Sequence, residues 1–146
     1  MTILDRFSLT DKVVIVTGAS SGLGVAFAKG FAEAGADVVL AARRVEKLAD
    51  TAKLVEAAGR KALPVQTDVT DPEQCQAVVD AAMAEFGHVD ILINNAGVGT
   101  AVPATRETPD QFRQVVDLNL NGSYWMAQSC GRIMQPGSAI VNIASV

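Results

Sequence analysis

Thr17-Gly18-Ala19-Ser20-Ser21-Gly22-Leu23-Gly24 is the stretch around which the rest of the chain is arranged. An apolar run, Val13-Val14-Ile15-Val16, precedes it. A helical pattern with Leu23, Ala26, Phe27, Gly30, Phe31 and Ala34 on one side follows it. Strand, glycine-rich turn and helix in that order form a phosphate cradle. The unpaired N–H groups of the first helical turn and the positive end of the helix dipole both favour an anion there. Gly18 permits the tight turn, Gly22 leaves the backbone open to a pyrophosphate, and Gly24 lets the helix pack close to the sheet. The spacing is Gly-x-x-x-Gly-x-Gly rather than Gly-x-Gly-x-x-Gly, and taken alone it would also describe an ordinary loop. The remainder of the chain decides between the two.

Outward from this turn, strands and helices alternate. Strand one is expected over 12–17 and the first helix over 22–34, closed by Gly35. Residues 37–42, Asp-Val-Val-Leu-Ala-Ala, form a nearly unbroken apolar strand of the kind covered on both faces in parallel sheets. A second helix over 45–58 buries Leu48, Ala52 and Val55, and a third strand covers 61–66. Thr70 or Asp71 caps the next helix, which has Pro72 in its first turn and runs to Phe86. A fourth strand over 89–93 leads into Asn94-Asn95-Ala96-Gly97. After a loop over 98–107, Thr108-Pro109 opens a pattern that continues through Phe112, Leu118 and Trp125 to Cys130 and reads as one long helix. Residues 138–145 are a fifth strand. In the lead-in, Phe7 and Leu9 are available to cover the sheet edge. This alternation predicts one α/β domain over 1–146, a doubly wound parallel sheet in three layers.

Composition narrows the function classes. The length of 146 residues suits one domain, and the formal net charge of −4 with no basic cluster argues against nucleic-acid binding. The apolar runs are strand-sized, so no membrane span is expected. Met1 to Arg6 lacks the pattern of a secretory signal. Cys75 and Cys130 lie far apart in helical patterns and read as buried or half-buried thiols of a reducing compartment, so a cytoplasmic location is expected. A single histidine cannot build a multi-histidine metal site. His88 falls in a helix-to-strand turn and reads as a surface residue. Tyr124 reads as a packing residue beside Trp125. Glu107, Asp110 and Asp117 read as caps and solvated faces.

In a doubly wound sheet, ligands bind beyond the C-terminal strand ends. The informative residues gather there: the glycine turn, Arg43-Arg44, Asp68-Val69, Asn94 to Gly97, and Ser145. Together with Asn119 in Leu118-Asn119-Leu120-Asn121-Gly122, they make the chain resemble the first part of a classical short-chain dehydrogenase/reductase with a Rossmann fold. The resemblance covers essentially all 146 residues. It implies a nicotinamide dinucleotide that exchanges hydride with a small-molecule alcohol or ketone. Gly18, Ser20, Ser21, Gly22, Leu23 and Gly24 would hold the dinucleotide. Asp68 and Val69 would meet the adenine, and Asn95, Ala96 and Gly97 would support the adenosine ribose side and the middle of the sheet. Ser145 would be the catalytic serine and Asn119 the asparagine of a proton relay. From the residues alone, Asp68 is as well explained as a turn aspartate, Asn119 as a helix residue bonded to a nearby carbonyl, and Ser145 as a strand-end turn serine.

Cofactor preference turns on the end of strand two. Proteins that prefer NAD usually place a carboxylate there to bond the ribose hydroxyls. Here the position is Ala42, followed by Arg43, whose planar fork suits phosphate. NADP is therefore the expected cofactor, with NAD as the alternative. Arg44 either adds charge or faces solvent. Ser20 and Ser21, which stand where many NADP-using relatives carry a basic residue, count against the reading. The family's Tyr-x-x-x-Lys motif does not occur in this sequence. The resemblance thus implies a sheet incomplete on its C-terminal side and a chain that shows no turnover by itself. A non-catalytic dinucleotide-binding or interaction module is the alternative. The resemblance also implies a homo-oligomer, tetramer or dimer.

Overall fold

The computed structural model describes residues 1–145. Five strands form one parallel sheet in the order β3-β2-β1-β4-β5: β1 Val13–Thr17, β2 Asp37–Ala42, β3 Ala62–Gln66, β4 Ile91–Asn94 and β5 Ala139–Asn142. The helices are α1 Gly22–Glu33, α2 Val45–Ala57, α3 Pro72–Phe86, α4 Pro109–Val116 and α5 Gly122–Gly131. The chain winds outward from β1 to β3 and then returns to place β4 on the other side of β1. The crevice between β1 and β4 is therefore the topological switch point.

Strand periodicity divides the core into two layers. Val14 and Val16 of β1 and Val38 and Leu40 of β2 pack with Ala28, Ala32, Leu48 and Val55 of α1 and α2. Val13, Ile15, Val39 and Ala41 point the other way, onto Val78, Val79, Met126 and Cys130 of α3 and α5. β1 is buried throughout and β2 nearly so, as their apolar runs require. Leu9 packs against the first layer, its N–H donating to the Ala34 carbonyl at 2.8 Å, whereas Phe7 stays 69% exposed.

Local chemistry sets the helix starts. Asp71, rather than Thr70, caps α3, accepting from the Glu73 N–H at 2.9 Å with Pro72 at the first position. Thr108 and Gln111 form a reciprocal capping box at the start of α4. Three departures from the sequence reading matter. β4 begins two residues later than expected and reaches Asn94. β5 is shorter than expected, so Ser145 lies three residues beyond its end at Asn142. The expected long helix forms over 109–131 but carries a π turn over Asp117–Asn121. All four residues of β5 are exposed, since among the described residues it pairs only with β4.

Candidate active site

A cleft of about 420 Å³ opens at the C-terminal edge of the sheet. Its walls include every expected dinucleotide residue except Gly22 and Gly24: Gly18, Ser20, Ser21 and Leu23 from the turn, Arg43 and Arg44 after β2, Asp68 and Val69 after β3, and Asn95, Ala96 and Gly97 after β4. Ala41, Ala42, Thr67, Val98 and Leu118 complete it, and the sequence reading gave no lining role to four of these, Ala42 excepted. Asn119 and Ser145 are not in its walls.

The glycines of the turn have separate tasks. Gly18 and Gly22 have φ of +64° and +56°, in the left-handed region. A Cβ on Gly22 would meet nothing within 4 Å, so the backbone there is open to a ligand. A Cβ on Gly24 would lie 2.1 Å from the Gly18 carbonyl oxygen, so α1 and the turn touch backbone to backbone. Ser21, the N-cap of α1, makes no side-chain cap, unlike Asp71 and Thr108 on α3 and α4. The first N–H groups of α1 therefore have no side-chain capping oxygen and lie beside the cleft that Leu23 lines, as an anion site requires. The residues present fit a dinucleotide diphosphate at this point.

Ser21 has another partner. The Arg44 guanidinium donates from Nη2 to Ser20 Oγ at 3.2 Å and to Ser21 Oγ at 3.0 Å. Arg44, though exposed, thus reaches across to the turn. It brings a positive charge to the place where the serines had seemed to leave none. Arg43 has its carbonyl fixed by Gln66 Nε2 at 3.1 Å, and its side chain lines the cleft.

Other expected site residues are engaged within the protein. Asn95 turns its amide inward, donating from Nδ2 to the Thr17 carbonyl at 3.1 Å. Asp68 Oδ1 accepts from both Thr70 N–H and Thr70 Oγ, which is the turn role the residues alone had allowed. Asn119 clamps the loop after β4: its Oδ1 accepts from Val98 N–H at 2.9 Å and its Nδ2 donates to Val98 carbonyl at 2.8 Å. The π turn carries Asn119 while directing Leu118 inward, and such turns recur at functional sites. Gly122, just beyond it, is a second close contact, since a Cβ there would lie 2.7 Å from Val69 Cγ2. The parallel pairing of β4 with β5 puts Ser145, exposed beyond β5, on the same sheet edge as the turn.

A profile of the family described as short chain dehydrogenase matches residues 12–146. The chain belongs to the short-chain dehydrogenase family. It is 40% identical over 146 residues to 3beta-hydroxysteroid dehydrogenase 1 of Eggerthella lenta, covering 94% of this chain and 54% of that protein. It is 38% identical over 147 residues to 2-dehydro-3-deoxy-D-gluconate 5-dehydrogenase of Escherichia coli, covering 99% and 57%. Among solved structures, a short-chain type dehydrogenase/reductase from Mycobacterium marinum superposes with a TM-score of 0.88 at 37% identity, over 91% of this chain and 54% of the other. The chain spans about half the length of the curated relatives it matches. These short-chain dehydrogenases also account for the parallel sheet with helices on both faces.

The remaining titratable groups stand apart from the cleft. His88 is exposed and its Nδ1 lies 2.7 Å from Asp90 Oδ2 at the opposite edge of the sheet. Glu107 accepts from Thr100 Oγ, Asp110 pairs with Arg113, and Asp117 accepts from Asn121. Tyr124 stacks edge-on against Trp125 yet remains 58% exposed. Burial pushes the Cys75 thiol up to about 11 and the Cys130 thiol to about 12, so both behave as neutral apolar fillers. Among the described residues no cluster could hold a metal ion, and no helix is long and apolar enough to cross a membrane.

Proposed function

We propose that this chain is the dinucleotide-binding half of an oxidoreductase that prefers NADP over NAD and interconverts an alcohol and a carbonyl compound. The observation that carries the cofactor preference is the Arg44 reach to Ser20 and Ser21, beside an Ala42 that offers no carboxylate. A 2′-phosphate there meets the guanidinium groups of Arg43 and Arg44, with no carboxylate at position 42. When bound, the dinucleotide supplies or accepts a hydride at its nicotinamide ring. The chain's own residues bind and orient. The first turn of α1 takes the diphosphate, Val69 and Leu118 offer apolar walls to a base, and Asn119 holds the loop at Val98. Ser145 donates a hydrogen bond to the substrate oxygen, and that bond strengthens as charge develops on the oxygen. Proton transfer is left to the family's tyrosine, which the relatives' additional length has room to supply.

The relatives named above act on a steroid and on a sugar acid, so substrate class is not carried over from either. The free thiols fit a reducing, cytoplasmic compartment. A homo-oligomer fits the exposed stripe Phe112, Leu120 and Tyr124 along α4 and α5, with half-buried Val116 between them.

The test is calorimetric titration of the whole protein with NADPH and NADH. NADPH is expected to bind more tightly. Arg44→Ala should weaken NADPH by about 10- to 100-fold, the loss of one charge-assisted contact, and leave NADH nearly unchanged. Equal affinities in the parent protein, or an equal loss for both cofactors, would remove the reading.

A further inference from the structure

α2 buries one polar side chain. Its other buried residues, Leu48, Ala52 and Val55, are apolar, and Thr51 sits among them at 2% exposure. A threonine inside a helix commonly turns its hydroxyl back to the carbonyl four residues earlier. Thr51 Oγ1 comes within 3.3 Å of the Lys47 carbonyl, but it lies closer to the Ala19 carbonyl, at 2.8 Å. A hydroxyl has one proton to donate, so the shorter contact takes the main share of it. Ala19 is the fully buried residue of the glycine turn, and its N–H donates to the Ala41 carbonyl of β2 at 3.3 Å. The turn is thus pinned at Ala19 from two sides, by β2 and by α2. The start of α2 holds the next two residues, since Arg44, its N-cap, donates to Ser20 and Ser21. Gln66 in turn fixes the Arg43 carbonyl, and with it the peptide that leads into Arg44. Arg44 and Thr51 stand about two helical turns apart, so they present to the same side. Three consecutive residues of the turn are therefore bonded to one helix.

We propose that Thr51 is a positioning residue for the cofactor: with Arg44 it clamps residues 19–21 to α2 and so sets the distance between the diphosphate turn and the guanidinium that meets the 2′-phosphate. Thr51 is not in the walls of the cleft, so it acts through Ala19. The inference rests on the reading of Arg44 as the 2′-phosphate contact. On that reading NADPH is held at both ends of the clamped span and NADH at the diphosphate end alone. Loosening the clamp therefore costs NADPH more than NADH. Thr51→Val keeps the shape of the side chain but removes the donor, leaving a methyl group against the buried Ala19 carbonyl.

The experiment uses the whole protein and compares Thr51→Val, Thr51→Ser, Arg44→Ala and the double variant Thr51→Val/Arg44→Ala. Two quantities are read: hydrogen exchange of residues 19–24 without cofactor, and calorimetric dissociation constants for NADPH and NADH. Thr51→Val should speed exchange of the turn, weaken NADPH about 5- to 10-fold, the loss of one buried hydrogen bond, and weaken NADH by no more than about two-fold. Thr51→Ser keeps the hydroxyl and should restore all three. The double variant should lose no more NADPH preference than Arg44→Ala alone, because Thr51 sets preference through the register of Arg44. Unchanged exchange in Thr51→Val, equal losses for the two cofactors, or failure of Thr51→Ser to restore them would overturn the inference. Equal affinities in the parent protein, with faster exchange in Thr51→Val, would instead overturn the reading of Arg44 and leave the grip on Ala19 standing. Should Thr51→Val fail to fold, Thr51→Ala, which removes the same hydroxyl with less bulk, takes its place with the same expected results.

Discussion

Two glycines two residues apart should fail in opposite ways. Gly22 sits at φ +56°, and a Cβ there meets nothing within 4 Å. Gly22→Val therefore suffers only the cost of a left-handed residue, about 1–2 kcal/mol. For a protein of this size or larger that lowers the melting temperature by roughly 2–4 °C per kcal/mol. The open space it fills is the approach to the uncapped N–H groups of α1. Losing two charge-assisted bonds of about 1.5–3 kcal/mol each weakens dinucleotide binding by ~10²- to 10⁴-fold. Gly24→Ala places its Cβ 2.1 Å from the Gly18 oxygen and 2.8 Å from the Gly18 carbonyl carbon, so backbone must give way. Asn95 Nδ2 closes the same gap at 2.9 Å, so the turn cannot simply retreat. That is overpacking at the upper end of its range, about 3 kcal/mol or more. The assay is urea unfolding and NADPH calorimetry on both variants of the whole protein. Gly22→Val should keep most of its stability and lose binding, while Gly24→Ala should lose stability first. NADPH affinity in Gly22→Val within about three-fold of the parent would show that the turn is only structural.

Other outcomes follow from single contacts. Asn119→Leu removes both bonds to Val98, so hydrogen exchange at residues 97–99 should rise and NADPH binding should weaken several-fold; an unchanged exchange rate would show that the loop holds itself. The buried thiols make stability fall on the alkaline side. Folded Cys75 keeps its proton to about 11 against an ordinary 9.0, so the folded state binds more protons and its advantage is full below pH 9.0 and lost as pH rises toward 11. Urea midpoints measured from pH 8 to 10.5 should fall less steeply in Cys75→Ala than in the parent, and parallel slopes would contradict the assignment.

The strands and most of the helices were legible because their signals are local. Val13 to Val16 and Val38 to Leu40 announce strands by apolar runs, and Pro72 and Pro109 announce helix starts by their fixed φ. The π turn was not legible. Periodicity at α4 and α5 looks unbroken, because inserting one residue into a turn leaves apolar positions on both sides of the break. The reach of Arg44 was also hidden, since Ser20 and Ser21 lie 24 and 23 residues away. The resemblance gave Asn95 to the ribose side and to the middle of the sheet; its amide partners, the Thr17 and Gly18 carbonyls, were hidden because only the β1–β4 adjacency makes them available.

That adjacency gives Thr17 a role beyond opening the glycine turn. Its buried Oγ donates to the Ile93 carbonyl at 3.3 Å and accepts from the Asn95 and Ala96 N–H groups, each at 3.0 Å. One donor and two acceptor sites are all that a hydroxyl has, so Thr17 is saturated by β4 and the loop after it. Asn95 returns the contact to the Thr17 carbonyl. The phosphate turn and the β4 loop are therefore one rigid unit, bonded in both directions across the switch point. Thr17→Val keeps the shape but strips all three bonds, leaving two N–H groups and one carbonyl to find other partners in a buried place. A cradle whose glycines are intact should then still bind poorly, because the wall opposite them, from Ala96 to Val98, no longer has a fixed distance from the turn.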